Sequence, residues 1–294
     1  MPTANHVENP LEYVVERMSW MVAGIGRAIA ARPRVRELVA PPKVRRIGPA
    51  DLWASLREGM ADLGAVRDDV AFVAIIYPIA GLVLAAVAFH YELLPLVFPL
   101  VSGFALVGPV AAVGLYEISR RRELGEEVNW ATGLKVLQAP SLGSIVGLGA
   151  ILLILFTAWL LVAWSLYAVT LGPQPPTSLS GFAREVLTTP AGWTMTAVGV
   201  AAGFVFAAVA FGLSAVSFPL LLDRDVGVAR AVETSLRAIR ENPATMALWG
   251  LIVAGGLALG SLPAFAGLIL VMPLLGHASW RLYRKVVVAP GAEG

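Results

Sequence analysis

Six polar positions at or inside the ends of long apolar runs are where this chain could do chemistry: Glu117, Asp223, Arg224, Asp225, His277 and Arg281. Ionisable groups at membrane depth are costly, so each is a functional candidate by default. Glu117 lies one turn before Arg120, Arg121 and Arg122. It can pair within its own helix, or across helices with Arg281, locking two parts of the chain together. Asp223-Arg224-Asp225 closes an apolar run; there Asp225 can cap the next helix and Arg224 can bond phosphates or the last carbonyls. Two carboxylates also suggest a divalent cation, but no third converging ligand is visible. His277 sits one turn beyond Pro273, whose ring frees a carbonyl in the preceding turn. A hydrogen bond to backbone or to Glu117 accounts for it. A haem or metal ligand would need a partner, and His90 lies on the opposite side, where it and Glu92 read as interfacial anchors.

The absence of cysteine excludes disulfides, thiolate metal sites and a cysteine nucleophile. No serine-hydrolase elbow, zinc-protease helix, phosphate loop or dinucleotide fingerprint stands in a suitable context. The expectation is a non-catalytic protein with no metal and no cofactor.

The elements that hold these residues follow from hydropathy. Hydrophobic residues make up 57% of 294 and charged residues only 14%, far below the roughly 25% of soluble domains. This is the composition of an all-α, polytopic membrane helix bundle. A span needs about 20 apolar residues, and six spans are expected, at 70–90, 94–118, 142–171, 192–221, 244–260 and 263–280. With both termini cytoplasmic, 21 of the 22 Lys and Arg residues fall on one side, leaving only Arg184 outside, as the positive-inside rule requires. Five spans would put the basic tail "RLYRK" on the wrong side.

No signal peptide is expected, because the first 49 residues have no uninterrupted apolar core. Residues 1–47 read as a cytoplasmic arm whose segment 11–29 is an amphipathic helix, 48–286 as the membrane domain and 287–294 as a cytoplasmic tail. The basic residues concentrate at span ends, which suits anionic headgroups better than nucleic acid.

Three further amphipathic helices precede spans one, three and five. They read Trp53-Ala-Ser-Leu-Arg57, Ala131-Thr-Gly-Leu-Lys135 and Glu233-Thr-Ser-Leu-Arg237: a small residue, then Leu, then a base. In the first, Leu52, Leu56, Met60 and Leu63 share a face. The even-numbered spans each carry a proline near the inner end, Pro109, Pro219 and Pro273. The chain therefore reads as three copies of one unit, an interfacial helix followed by a hairpin of two spans. Small residues at four-residue spacing, Gly143 and Gly147, and Gly199, Gly203 and Ala207, permit close helix packing.

The segments "RRIGPADLWASLREG", "GPVAAVGLYEISRRRELGE", "FPLLLDRDVGVARAVETSLRAIRENPATMALWG" and "PLLGHASWRLYR" resemble a family of predicted bacterial integral membrane proteins, the domain of unknown function 2189, over residues 45–286. The resemblance implies architecture and a bacterial inner-membrane location, with no activity. The expected role is an accessory or scaffold subunit that binds membrane lipids, a membrane protein complex or further copies of itself. The alternative is a transporter or exporter of a small hydrophobic or amphipathic molecule.

Overall fold

The computed structural model describes residues 42–65, 91–263 and 266–289. The expected helix at 11–29, the expected first span at 70–90 and His90 lie outside them. Most of the described residues are helical, and the one extended pairing among them is an isolated antiparallel bridge between Val44 and Val287.

The chain enters through α1 (Pro49–Ala65), where the Asp51 carboxylate accepts the Gly48 N–H at 2.8 Å and so fixes the start. A 3-10 turn (Tyr91–Leu96) runs into α2 (Val97–Glu123), which contains Pro109. A second 3-10 segment (Trp130–Gln138) stands where a short helix was expected. Asn129 and Thr132 cap it reciprocally, each side chain accepting the other's backbone N–H. Next come α3 (Leu142–Thr170), the short α4 (Leu179–Thr188), α5 (Pro190–Ser214) and α6 (Ser217–Asp223). The chain closes with α7 (Val228–Glu241), α8 (Pro243–Ser261) and α9 (Leu268–Val286).

Four stretches among the described residues are helices long and apolar enough to cross a membrane: Leu94–Glu123, Leu142–Thr170, Pro190–Asp223 and Pro243–Ser261. They match the second to fifth expected spans. The expected sixth overlaps α9, which is not among the four; its second half carries Arg281, Arg284 and Lys285. The amphipathic α4 lies between the third and fourth expected spans.

The fourth stretch expected as one span is broken at Ala215–Val216, between α5 and α6. In an unbroken helix the Val216 N–H would bond the Gly212 carbonyl. Here the Ser235 hydroxyl of α7 stands between them, accepting from Val216 N–H at 3.3 Å and donating to Gly212 O at 2.8 Å. Insertion of a side chain into the ladder is a recognised cause of a kink. Pro219, four residues beyond Ala215, offers no N–H to the Ala215 carbonyl, which weakens the same turn.

The fully buried core includes Leu148 and Leu152 of α3, Phe218, Leu220 and Leu221 of α6, Met246 of α8 and Trp280 of α9. Trp159 of α3 donates its indole N–H to Pro99 O at 3.0 Å and lies over Gly203, whose added Cβ would meet the ring at 3.2 Å. The glycine spacing of α5 thus serves as a slot for a tryptophan.

The short element before each expected hairpin packs on a longer helix. α1 lies along α9, the 130–138 segment on α2, and α7 on α5 and α6. The contact faces are small and polar. On α1 the buried stripe is Leu52, Ser55, Gly59 and Asp62, while Met60 is exposed. The face shared by Leu52, Leu56, Met60 and Leu63 meets the buried stripe only at Leu52. A Cβ at Gly59 would stand 2.7 Å from Ala278 N, and one at Gly133 3.1 Å from Gly114 O. Backbones this close admit only small residues, and the larger apolar side chains turn outward.

Candidate functional site

The charged end of the bundle gathers the ends of α1, α2, α6 and α9. At its centre is Asp62 of α1, 2% exposed. Its two carboxylate oxygens accept Nε and Nη2 of Arg281, both at 2.8 Å. Oδ2 also accepts the Ser119 hydroxyl at 3.0 Å, and Oδ1 accepts Arg122. A planar guanidinium fork on a carboxylate is the strong form of ion pair, and here one acid ties α1 to α2 and α9.

His277 continues the chain of contacts. Its Nδ1 lies 2.7 Å from Ser119 Oγ, and both residues are fully buried. Since the one hydroxyl proton of Ser119 goes to Asp62, the histidine Nδ1 is the donor in this arrangement. That direction is opposite to the one that activates a serine nucleophile, in which the hydroxyl donates to the imidazole. The trio holds protons and charge in place; it offers no exposed attacking atom.

Glu117 does not reach Arg281. It pairs within α2, with Arg120 Nε at 2.8 Å and with Arg121. The expected inter-helix lock exists, but its acid is Asp62, which comes from the amphipathic helix before the first expected span. His277 likewise reaches α2 through Ser119.

A second group surrounds Asp223. It accepts the Tyr283 hydroxyl at 2.6 Å and lies 3.3 Å from Arg224 and 3.6 Å from Arg284. Burial first, and then the Asp223 carboxylate, pushes the Tyr283 phenol well above its ordinary range, so it stays a donor. Arg224 donates to Val288 O at 2.7 Å, a backbone carbonyl of the segment after α9. Asp225 is not the cap of α7. That place belongs to Gly227, whose φ of 79° suits glycine. Glu123 accepts Trp280 Nε1 and Arg284 Nε, each at 3.0 Å, and Glu58 accepts Lys285 at 2.8 Å. Among the described residues no three His, Asp or Glu side chains are grouped to hold a metal ion.

The polar segment before α1 is fastened to the same end. Arg45 N–H donates to Val286 O at 2.7 Å, and Val288 N–H to Lys43 O at 3.0 Å. Asn242, at the end of α7, accepts Ile47 N–H at 2.7 Å and donates to Arg45 O at 3.1 Å. The buried amide of Asn242 thus clamps a segment nearly two hundred residues away. Asp62 carries no signal in the sequence because it lies among Arg57, Glu58, Arg67 and Asp68, where a carboxylate reads as solvated surface.

Residues 97–223 match the family described as predicted integral membrane protein (DUF2189). The match spans α2 to α6, which is narrower than the resemblance over 45–286 seen in the sequence. No curated protein and no solved structure matches the chain.

Proposed function

For a multi-pass integral membrane protein of this kind, we propose a non-catalytic accessory or scaffold role in the bacterial inner membrane. The chain crosses six times as three hairpins, with both termini cytoplasmic, and uses its basic cytoplasmic face to hold lipid or a membrane protein complex. One observation carries this reading. The buried acids of the charged end are taken up by inter-helix or intra-helix pairs, whereas Arg45, Arg46, Arg57, Lys135 and Arg240 are exposed without an acidic partner among the described residues. Beside them on the short helices stand exposed Trp53, Leu134, Leu137 and Leu236. Bases flanked by outward apolar side chains are what an amphipathic segment needs to lie in an anionic leaflet.

The packing of the short helices also supports a threefold internal repeat. The one before each expected hairpin rests on the second helix of another unit: α1 on α9, 130–138 on α2, α7 on α5 and α6. Three units linked in this way close a ring, which suits a rigid platform.

A transporter of a small amphipathic molecule is the second reading, favoured by the break between α5 and α6. Against it stand the apolar lining of the grooves on α5 and the centre filled by Leu148, Leu152 and Phe218.

Gentle extraction from native membranes, followed by mass spectrometry of protein and lipid, tests the scaffold reading. A firmly held anionic lipid or a stoichiometric membrane protein is expected to co-purify. A clean monomer with neither overturns it.

A further inference from the structure

An apolar groove of about 420 Å³ runs between α5 and α7, lined by Phe204, Val205, Ala208, Val209 and Leu213 of the spanning helix and Leu236 of the short one. Its floor is Gly212, where a Cβ would stand 3.3 Å from Leu236 Cδ2. The groove lies in the half of α5 nearest the charged end, where an acyl chain of the adjoining leaflet would run.

The mouth of the groove is basic. Arg240 follows Leu236 by one helical turn, about 6 Å along α7 at 1.5 Å per residue, and so on the same side of the helix. Asn242, two residues after exposed Arg240, bonds the Ile47 N–H and the Arg45 carbonyl, so the backbone that carries exposed Arg45 and Arg46 is held at the end of α7. None of the three has an acidic partner among the described residues. Arg230 and Arg237 share Glu233, at 3.5 and 2.9 Å, and Glu241 is the other acid of α7. Five arginines against two glutamates leave a net positive site at the membrane surface.

We infer that this is a site for one anionic phospholipid, with an acyl chain in the α5–α7 groove and the phosphate on Arg45, Arg46 and Arg240. The inference rests on the lipid-binding part of the proposed function and gives it a definite place. A zwitterionic lipid would fill the groove equally well but would gain less from three uncompensated cations, so headgroup charge decides occupancy.

The test uses the full chain in nanodiscs of equal parts dioleoyl phosphatidylglycerol and dioleoyl phosphatidylcholine, then native mass spectrometry after mild detergent release. The wild type is expected to keep one phosphatidylglycerol. Ala208→Trp, an exposed position on the groove wall, should cut that retention at least about fivefold with the thermal melt unchanged, because the indole fills the groove. Arg45→Gln, Arg46→Gln and Arg240→Gln together should keep a lipid but lose the preference for phosphatidylglycerol, by about fivefold per arginine. Arg57→Gln with Lys135→Gln should lower the total number of loosely held lipids and spare the tight one. A wild type that holds no lipid overturns the site. So does equal retention of both lipids, or retention unmoved by Ala208→Trp, which would mean annular lipid only. If only the Arg57 and Lys135 arm fails, the general basic-rim reading falls and this site stands.

Discussion

The contact of α1 with α9 and the contact of α3 with α5 use opposite materials. Between α1 and α9 the close contacts are small or charged: Gly59 lies against the Ala278 backbone and Asp62 is forked by Arg281. Between α3 and α5 the contact is aromatic on glycine, with Trp159 stacked near Phe206 at a centroid distance of 5.5 Å and seated on Gly203. The outward faces of α3 and α5 carry Ile154, Val169 and Phe204, all more than two-thirds exposed. The difference shows where specificity resides. In lipid, an apolar side chain loses little by facing outward, so apolar contacts set the packing distance but hardly the partner. At the charged end, a misplaced helix would strand a carboxylate or a guanidinium, so each helix has one acceptable neighbour.

The sharpest way to break this comparison is Asp62→Ala. It leaves Arg281, Arg122 and Ser119 without their shared acceptor, and a buried pair that loses one partner costs about 3–5 kcal/mol. The arginines are partly exposed, 18% and 33% at the side chain, so the lower end of that range is expected. It is read as a fall in melting temperature in mild detergent. A change under about 1 kcal/mol would mean that apolar packing, not the charged end, fixes the neighbours.

Gly59→Leu comes next, with an expected loss of about 1–3 kcal/mol from overpacking against the α9 backbone. Cross-linking of α1 to α9 should fall in parallel; an unchanged yield would show that the two backbones can separate freely. Ser235→Ala should follow, at about 1–3 kcal/mol, since it leaves Val216 N–H and Gly212 O unpaired. Alternatively the α5–α6 break heals, and spin labels on the two helices would then report a straighter span.

Tyr283→Phe is smaller, about 1.5 kcal/mol, the lower end for a hydrogen bond to a carboxylate, because Asp223 keeps Arg224 and Arg284. The raised phenol pKa gives it a pH signature. The contribution is complete below the unfolded phenol's value of about 10 and is lost as pH rises past it toward the higher folded value. Wild type and variant should therefore converge in alkali, as followed by melting temperature against pH. The smallest effect belongs to the other region: Ile154→Ala on the lipid face of α3 should change stability by under about 0.5 kcal/mol.

Much of the frame was legible in the sequence because hydropathy and helix signals are local. Span three was expected at 142–171 and the helix runs Leu142–Thr170; span five was expected at 244–260 and the helix runs Pro243–Ser261. The inner-end acids and bases were legible as a class, and the intra-helix reading of Glu117 held. Their partners were not. Arg281 found Asp62, more than two hundred residues away and outside any span, and no spacing rule links the two. Nor does apolar spacing mark the buried face of α1, where Ser55, Gly59 and Asp62 go inward.

By itself the sequence determined that this is a multi-pass helical membrane protein, because about 20 apolar residues in a row have few other solutions. It also marked the short basic helices by the motifs that begin at Trp53, Ala131 and Glu233. Only the tertiary structure decided which helix each of them rests on, that Asp62 is the hub of the charged end, and that Ser235 breaks the fourth expected span. Those outcomes depend on close backbone approach and on hydrogen-bond direction between distant segments. Such quantities arise only once the helices are packed side by side.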